Sequence, residues 1–350
     1  ATVARRVPDR PVRSPPGLTV HPPYDRLVRR HLATVTAALL LAASCSSTGA
    51  TSSPTAPVTT GATTTTTTTV PVTTVAPTTT TTTVPVMHHE PTGWDDWPDC
   101  PAELSPTVPG ERLVVDGFDD RPTMLQRSAD PAGPLLVIFH GQNGCIEKVQ
   151  GQTDLEQIAT GWGVNVLWLS GKPVPTRSWN TNGRCCTPAS SEHVDDLPYV
   201  EAAIGAARAT GLTPSRVVAV GKSNGAGMAV SVGCRRPDLF DVVVAIAGWA
   251  SVQCDRAELS LMVEIGTEDE VFEVSESRAI VDMWRSRVLT CPDPPTEERR
   301  ERALVTTWRC GEQFIRFTVI DGMGHLWPTY PWFDADDEIL RIARGEIPPG

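Results

Sequence analysis

The amino-acid sequence predicts an α/β domain, a mostly parallel sheet with helices on both faces. Two observations carry that prediction. From about residue 112 to residue 344, strand-like runs alternate with helix-like stretches, the pattern that builds strand–helix crossovers. Runs such as 135–139 and 217–220 are continuously apolar rather than alternating, as expected of strands covered on both faces.

The elements follow in order. Runs 112–115 and 123–127 read as an opening hairpin around Gly117-Phe118-Asp119-Asp120. A buried strand is expected over 135–139, a helix near 154–160 and a strand over 164–169. Val200, Ile204 and Ala207 share one face of a helix over 196–210. Strands follow at 217–220, 242–246, 261–265 and 314–320, with helices after 225, near 275–288 and over 336–344. Asp195 and Asp196 open the helix at 196 and are expected to cap it.

Upstream, the composition changes. Residues 46–86 are mostly Thr, Pro, Ser, Ala and Val with long threonine runs, a tract that has no periodicity to bury and is expected to be a disordered spacer. Residues 1–45 read as a leader. Arg26, Arg29 and Arg30 precede a short apolar run, 37–43, that ends in small residues, and Cys45 follows in the manner of a bacterial lipobox. Ala42 stands where such a box usually has Leu. Lipidation of Cys45 is expected, with ordinary secretion as the alternative. The folded domain is assigned to 87–350.

Residues 1–86 carry seven Arg and two Asp, so 23 basic and 39 acidic residues, a net of −16, fall in 87–350. A domain this acidic is a poor nucleic-acid binder. Eight cysteines remain besides Cys45, an even number that points to disulfides in an exported chain. No Cys-x-x-Cys pair or histidine cluster has metal-ligand spacing, and no metal or organic cofactor is called for.

The chemistry begins at Gly221-Lys222-Ser223-Asn224-Gly225, directly after an apolar strand and before a helix-like stretch. Gly-x-Ser-x-Gly in that context places a serine on a sharp strand-to-helix turn, with its hydroxyl at the sheet edge. A serine hydroxyl needs a general base, and the base needs a third group to fix its tautomer. His325, in Asp321-Gly322-Met323-Gly324-His325, is the one histidine after Ser223 and lies just past the last strand. Glu268, Asp269 and Glu270 compete for the acid on the loop after the strand at 261–265; Asp269 is chosen, and a solvated acidic loop accounts for the other two. The order Ser, acid, His is that of the α/β-hydrolase fold. Backbone N–H groups of Gln142, after the buried strand at 135–139, and of Asn224 are the expected oxyanion donors. His140 is expected to brace its loop rather than carry protons.

Taken in order, these pieces resemble the extracellular poly(3-hydroxybutyrate) depolymerase-like esterases, which include feruloyl and acetylxylan esterases and lipoprotein relatives. They are His140-Gly141, Trp179-Asn180 with Cys185-Cys186, Val194-Asp195-Asp196, Gly221 to Gly225, Gly266-Thr267-x-Asp269 and Gly324-His325-x-Trp327-Pro328. The resemblance implies Ser223, Asp269 and His325 as nucleophile, acid and base. Three positions depart from the pattern: Ile265 where the family usually has His, Lys222 in place of an apolar elbow residue, and Gln142 where depolymerases often have Cys.

Trp179 and Trp327 could wall an acyl or aromatic pocket, or could be core packing. Cys291 and Cys310 are the favoured disulfide, and adjacent Cys185 and Cys186 are expected to find separate partners. The resulting expectation is an exported serine esterase of polyester-depolymerase type, anchored at the membrane through its N-terminal lipid and acting without a cofactor. The alternatives are a feruloyl- or acetylxylan-type small-ester esterase, and a non-catalytic surface-binding lipoprotein on the same scaffold.

Overall fold

The computed structural model describes residues 100–101, 104–172, 177–182, 185–329 and 333–346. The leader, Cys45 and the threonine-rich spacer lie outside the described residues. Ten strands form one sheet: β1 (Glu111–Arg112), β2 (Thr123–Gln126), β3 (Leu135–Phe139), β4 (Asn165–Leu169), β5 (Val217–Lys222), β6 (Val242–Ile246), β7 (Ser260–Gly266), β8 (Thr296–Arg300), β9 (Ala303–Cys310) and β10 (Gln313–Ile320). Their order is β1-β2-β4-β3-β5-β6-β7-β10-β9-β8. The block from β4 to β10 is parallel throughout, and antiparallel strands extend it at both ends.

The central strands are buried along their whole length, and β3 and β6 accordingly read as unbroken apolar runs. The helices are α1 (Ile146–Gln150), α2 (Leu155–Ile158), α3 (Leu197–Ala209), α4 (Asn224–Arg235), α5 (Val274–Met283) and α6 (Ala335–Ala343). A capping box between Glu273 and Glu276 starts α5. The Asp334 carboxylate accepts from the Asp337 N–H, at 3.0 Å, and starts α6.

The short α1 and the strands β8 and β9 go beyond the elements read from sequence. The β8 sequence, Thr-Glu-Glu-Arg-Arg, is largely exposed and carries no apolar face to signal a strand. Asp196 departs from its expected capping role as well. Its buried carboxylate makes no cap hydrogen bond; it pairs with Arg121 and accepts from the Asn180 N–H at 2.7 Å. The Arg121 guanidinium, itself buried, is the stronger partner for a charge taken out of water.

Four disulfides are formed among the described cysteines: Cys100–Cys145, Cys185–Cys186, Cys234–Cys254 and Cys291–Cys310. The favoured pair, Cys291 with Cys310, is present. Cys185 and Cys186, expected to part, are instead bonded to each other. The peptide between them is cis, and their Cα atoms lie 3.1 Å apart.

Candidate active site

Ser223 sits between β5 and α4 with φ 57° and ψ −122°, a left-handed conformation that a non-glycine residue adopts only when its surroundings enforce it. The enforcement is visible. The Ser223 N–H donates to the Ile246 carbonyl at 2.9 Å, and its carbonyl accepts from the N–H groups of Ala226 and Gly227. A Cβ on Gly221 would lie 2.1 Å from the Gly225 oxygen, and one on Gly225 would lie 2.0 Å from the Phe139 oxygen. Both elbow glycines are therefore required by close backbone approach.

His325 lies on the loop after β10. Its Nδ1 is 2.8 Å from Asp269 Oδ2, and both side chains are almost wholly buried. Asp269 lies on the loop after β7, where its Oδ1 accepts from the N–H groups of Val271 and Phe272 at 2.9 and 2.8 Å. The two loops are laced together. The Gly322 N–H donates to Thr267 Oγ1, the Glu268 N–H to the Met323 carbonyl, and the His325 N–H to Glu270 Oε2. The Phe272 ring packs at 5.6 Å against the imidazole.

The electrostatics follow from burial. Desolvation pushes the Asp269 carboxyl up, but the hydrogen bonds from His325, Phe272 and Val271 outweigh it and hold the group below its ordinary value. Burial lowers the His325 pKa against the raising effect of Asp269, and the nearby Lys222 charge lowers it further. The imidazole is therefore neutral at neutral pH, with the Asp269 contact fixing the proton on Nδ1 and leaving Nε2 as the acceptor. Lys222 is itself almost wholly buried, and desolvation brings its ammonium down to about 7 against the pull of Asp269 and Glu270.

A cleft of about 350 Å³ opens at this point, lined by Gln142, Asn143, Ser223, Glu270, Val271 and His325. It lies at the carboxyl ends of the parallel strands, where ligands bind in open α/β sheets. Gln142 follows β3 and lines the cleft beside Ser223, and Asn224 follows Ser223 as the first residue of α4. The Asn224 side chain is turned inward, accepting from the Trp179 N–H at 2.7 Å and donating to the Trp179 carbonyl at 3.0 Å. Asn224 is buried and is not among the described residues that line the cleft. His140 is a brace: Gly171 N–H donates to its Nε2 at 2.9 Å, its Nδ1 is 2.7 Å from the Gly141 carbonyl, and burial lowers its pKa to about 4.

The two tryptophans are not where the pocket expectation puts them. Neither is among the described residues that line the cleft. Trp179 is fully buried, stacks on Tyr199 and donates its indole N–H to the His140 carbonyl at 2.9 Å. Trp327 is buried and donates at 2.9 Å to Asp336, which also accepts from Thr153 Oγ1 and from the Asp154 N–H. Each indole has a polar handle that needs an internal partner, and finding one ties it to the scaffold behind the site. Sequence reading passes over Asn143 and Val271 and leaves Glu270 with the solvated acids; only the fold of the loop after β7 brings Glu270 to the cleft.

Comparison with known proteins agrees with this architecture. No family model matches the chain. The chain is 31% identical over 123 residues to the "Putative esterase NocK" of Nocardia uniformis subsp. tsuyamanensis, a match covering 33% of each protein. It is 30% identical over 122 residues to the feruloyl esterase B of Piromyces equi, covering 34% of this chain and 21% of that protein. The chain thus spans a third or less of the length of these curated relatives. Among solved structures, an acetyl xylan esterase from Aspergillus awamori superposes with a TM-score of 0.52 at 15% identity, over 67% of this chain and all of that one. Sheet order, elbow and superposition lead to one conclusion about architecture: the chain has the α/β-hydrolase fold.

Proposed function

We propose that the chain is a serine carboxylic-ester hydrolase. The observation that carries this reading is the pairing of Asp269 with His325 at 2.8 Å, in the same cleft as a serine held on a strained elbow. Ser223 Oγ attacks the ester carbonyl while His325 Nε2 takes its proton, and Asp269 stabilises the imidazolium that forms. The carbonyl oxygen, now an oxyanion, lies against the backbone N–H groups of Gln142 and Asn224. Collapse expels the alcohol, which takes the proton from His325, and leaves an acyl-serine. Water, deprotonated by His325, then releases the carboxylic acid and restores the serine.

Within that class, a small-ester substrate of the feruloyl or acetylxylan type is favoured over a crystalline polyester. The names of the relatives support it, as does the modest size of the cleft. The enzyme acts outside the cytoplasm. The leader with its lipobox-like Cys45 supports a membrane-anchored form, and the disulfides formed by all eight described cysteines support export.

The test is hydrolysis of 4-nitrophenyl acetate and butyrate, methyl ferulate, acetylated xylan and poly(3-hydroxybutyrate) by the chain and by Ser223→Ala. A fluorophosphonate label is mapped by mass spectrometry alongside. Turnover lost in the variant, with the label on Ser223, supports the reading. A folded protein with neither turnover nor label overturns it in favour of a binding protein on a hydrolase scaffold.

A further inference from the structure

Glu270 is the only acidic residue among the described residues lining the cleft, and it is not a member of the Ser–Asp–His set. Its carboxylate is fixed in place, because Oε2 accepts from the His325 backbone N–H at 3.1 Å. Asp269, the neighbouring acid, is occupied by the imidazole and by two backbone N–H groups and points into the protein. Lys222, whose charge acts on both acids, is almost wholly buried, whereas Glu270 is exposed. Behind the cleft stands a domain with a net charge of −16, counted over 87–350.

A carboxylate beside the reacting carbonyl favours any substrate whose nearby groups are neutral or cationic and repels one that brings a second anion. Two like charges about 6 Å apart at an effective dielectric near 40 differ from a neutral pair by about tenfold in rate or affinity. We propose that Glu270 is the specificity-determining residue of this site. It restricts the substrates to uncharged esters, such as acylated sugars and alkyl esters, and turns away esters that carry a free carboxylate on the acyl chain. This rests on the ester-hydrolase reading above.

The experiment compares two substrates of the same shape, the 4-nitrophenyl ester of monomethyl adipate and the mono-4-nitrophenyl ester of adipic acid, on the full chain. The measured quantity is the ratio of their kcat/KM values at low and high salt. Wild type is expected to prefer the neutral ester by about tenfold or more, and Glu270→Gln to bring the ratio within about threefold of one. The amide of that variant keeps an oxygen for the His325 N–H, and Glu270→Ser, which removes the longer side chain, serves as a second variant. Glu297→Gln on the exposed strand β8 makes the same change in net charge and is expected to leave the wild-type ratio intact. A wild-type ratio near one, a preference that survives both Glu270 variants, or an equal collapse in Glu297→Gln would each overturn the inference. Absence of turnover with either ester and of fluorophosphonate labelling would overturn the hydrolase reading itself, a result distinct from a ratio that Glu270 does not control.

Discussion

Asp269 grips His325 with one carboxylate oxygen and the backbone of its own loop with the other: Oδ2 lies 2.8 Å from Nδ1, while Oδ1 accepts from Val271 and Phe272. The acid is thus immobilised before it orients the base. Asp269→Asn keeps the shape but presents the imidazole with the wrong hydrogen-bond polarity. We expect kcat to fall by about 10³–10⁴-fold, with KM for 4-nitrophenyl butyrate changed far less. Steady-state kinetics on the folded variant checks this, and a loss below about tenfold would remove Asp269 from the set.

The acid limb of the pH profile should report His325. Burial, assisted by the Lys222 charge, holds its pKa below the ordinary value of 6.5. Protonated imidazole accepts no proton, so kcat/KM falls as pH falls, with a midpoint below that value. Lys222→Met removes a neighbouring positive charge and makes the imidazolium easier to form. Its midpoint is expected to move up. An unchanged or lower midpoint in the variant would dissociate Lys222 from the base.

His140 makes a stability prediction with a definite sign. Its folded pKa is about 4 against an ordinary 6.5, so the unfolded chain binds the extra proton first as pH falls. Stability is lost from about pH 6.5 downward and levels off below the folded value, a loss on the order of 3 kcal/mol over the interval. Asp336 opposes it. Burial raises that carboxyl to about 7, so its contribution is present at low pH and lost as pH rises through 7. Urea denaturation of wild type and His140→Gln at about pH 7 and about pH 4.5 isolates the histidine: on going to the lower pH, wild type should lose stability relative to the variant, by on the order of 2–3 kcal/mol.

Two glycines should respond in opposite directions. Gly225→Ala puts a methyl 2.0 Å from the Phe139 oxygen and 2.6 Å from that of His140. The end of β3 must move, with a cost of about 3 kcal/mol and a loss of turnover, because the Gln142 backbone moves with it. Gly205 lies within α3, and a Cβ there meets nothing within 4 Å. Gly205→Ala is expected to stabilise by about 0.5–1 kcal/mol. Thermal melts of the two variants decide both.

The elements that position the elbow are legible because they are buried on both faces. The apolar runs 135–139 and 242–246 coincide with β3 and β6 from end to end. Ser223, Asp269 and His325 are legible because each follows a strand, and a strand end is where this fold places chemistry. What is not legible depends on long-range partners. Nothing in the string Trp179-Asn180 says that the indole N–H will be claimed by His140, or that Asn224 will grip the Trp179 backbone. Glu268, Asp269 and Glu270 are chemically near-identical in sequence, and only the turn after β7 sends one to the imidazole and another to the cleft wall. Adjacent Cys185 and Cys186 are bonded to each other, a pairing that sequence proximity alone does not announce.

The strand hidden from sequence reading has a consequence for behaviour in solution. β8 closes one end of the sheet with Glu297, Glu298, Arg299 and Arg300 in succession, and the other end finishes in a strand of two exposed residues, Glu111 and Arg112. A sheet of this width exposes unpaired backbone at its rims, and such rims recruit strands from other molecules. Here one rim is densely charged and the other too short to template a ladder. The protein can therefore reach high local concentration without its copies zipping together edge to edge.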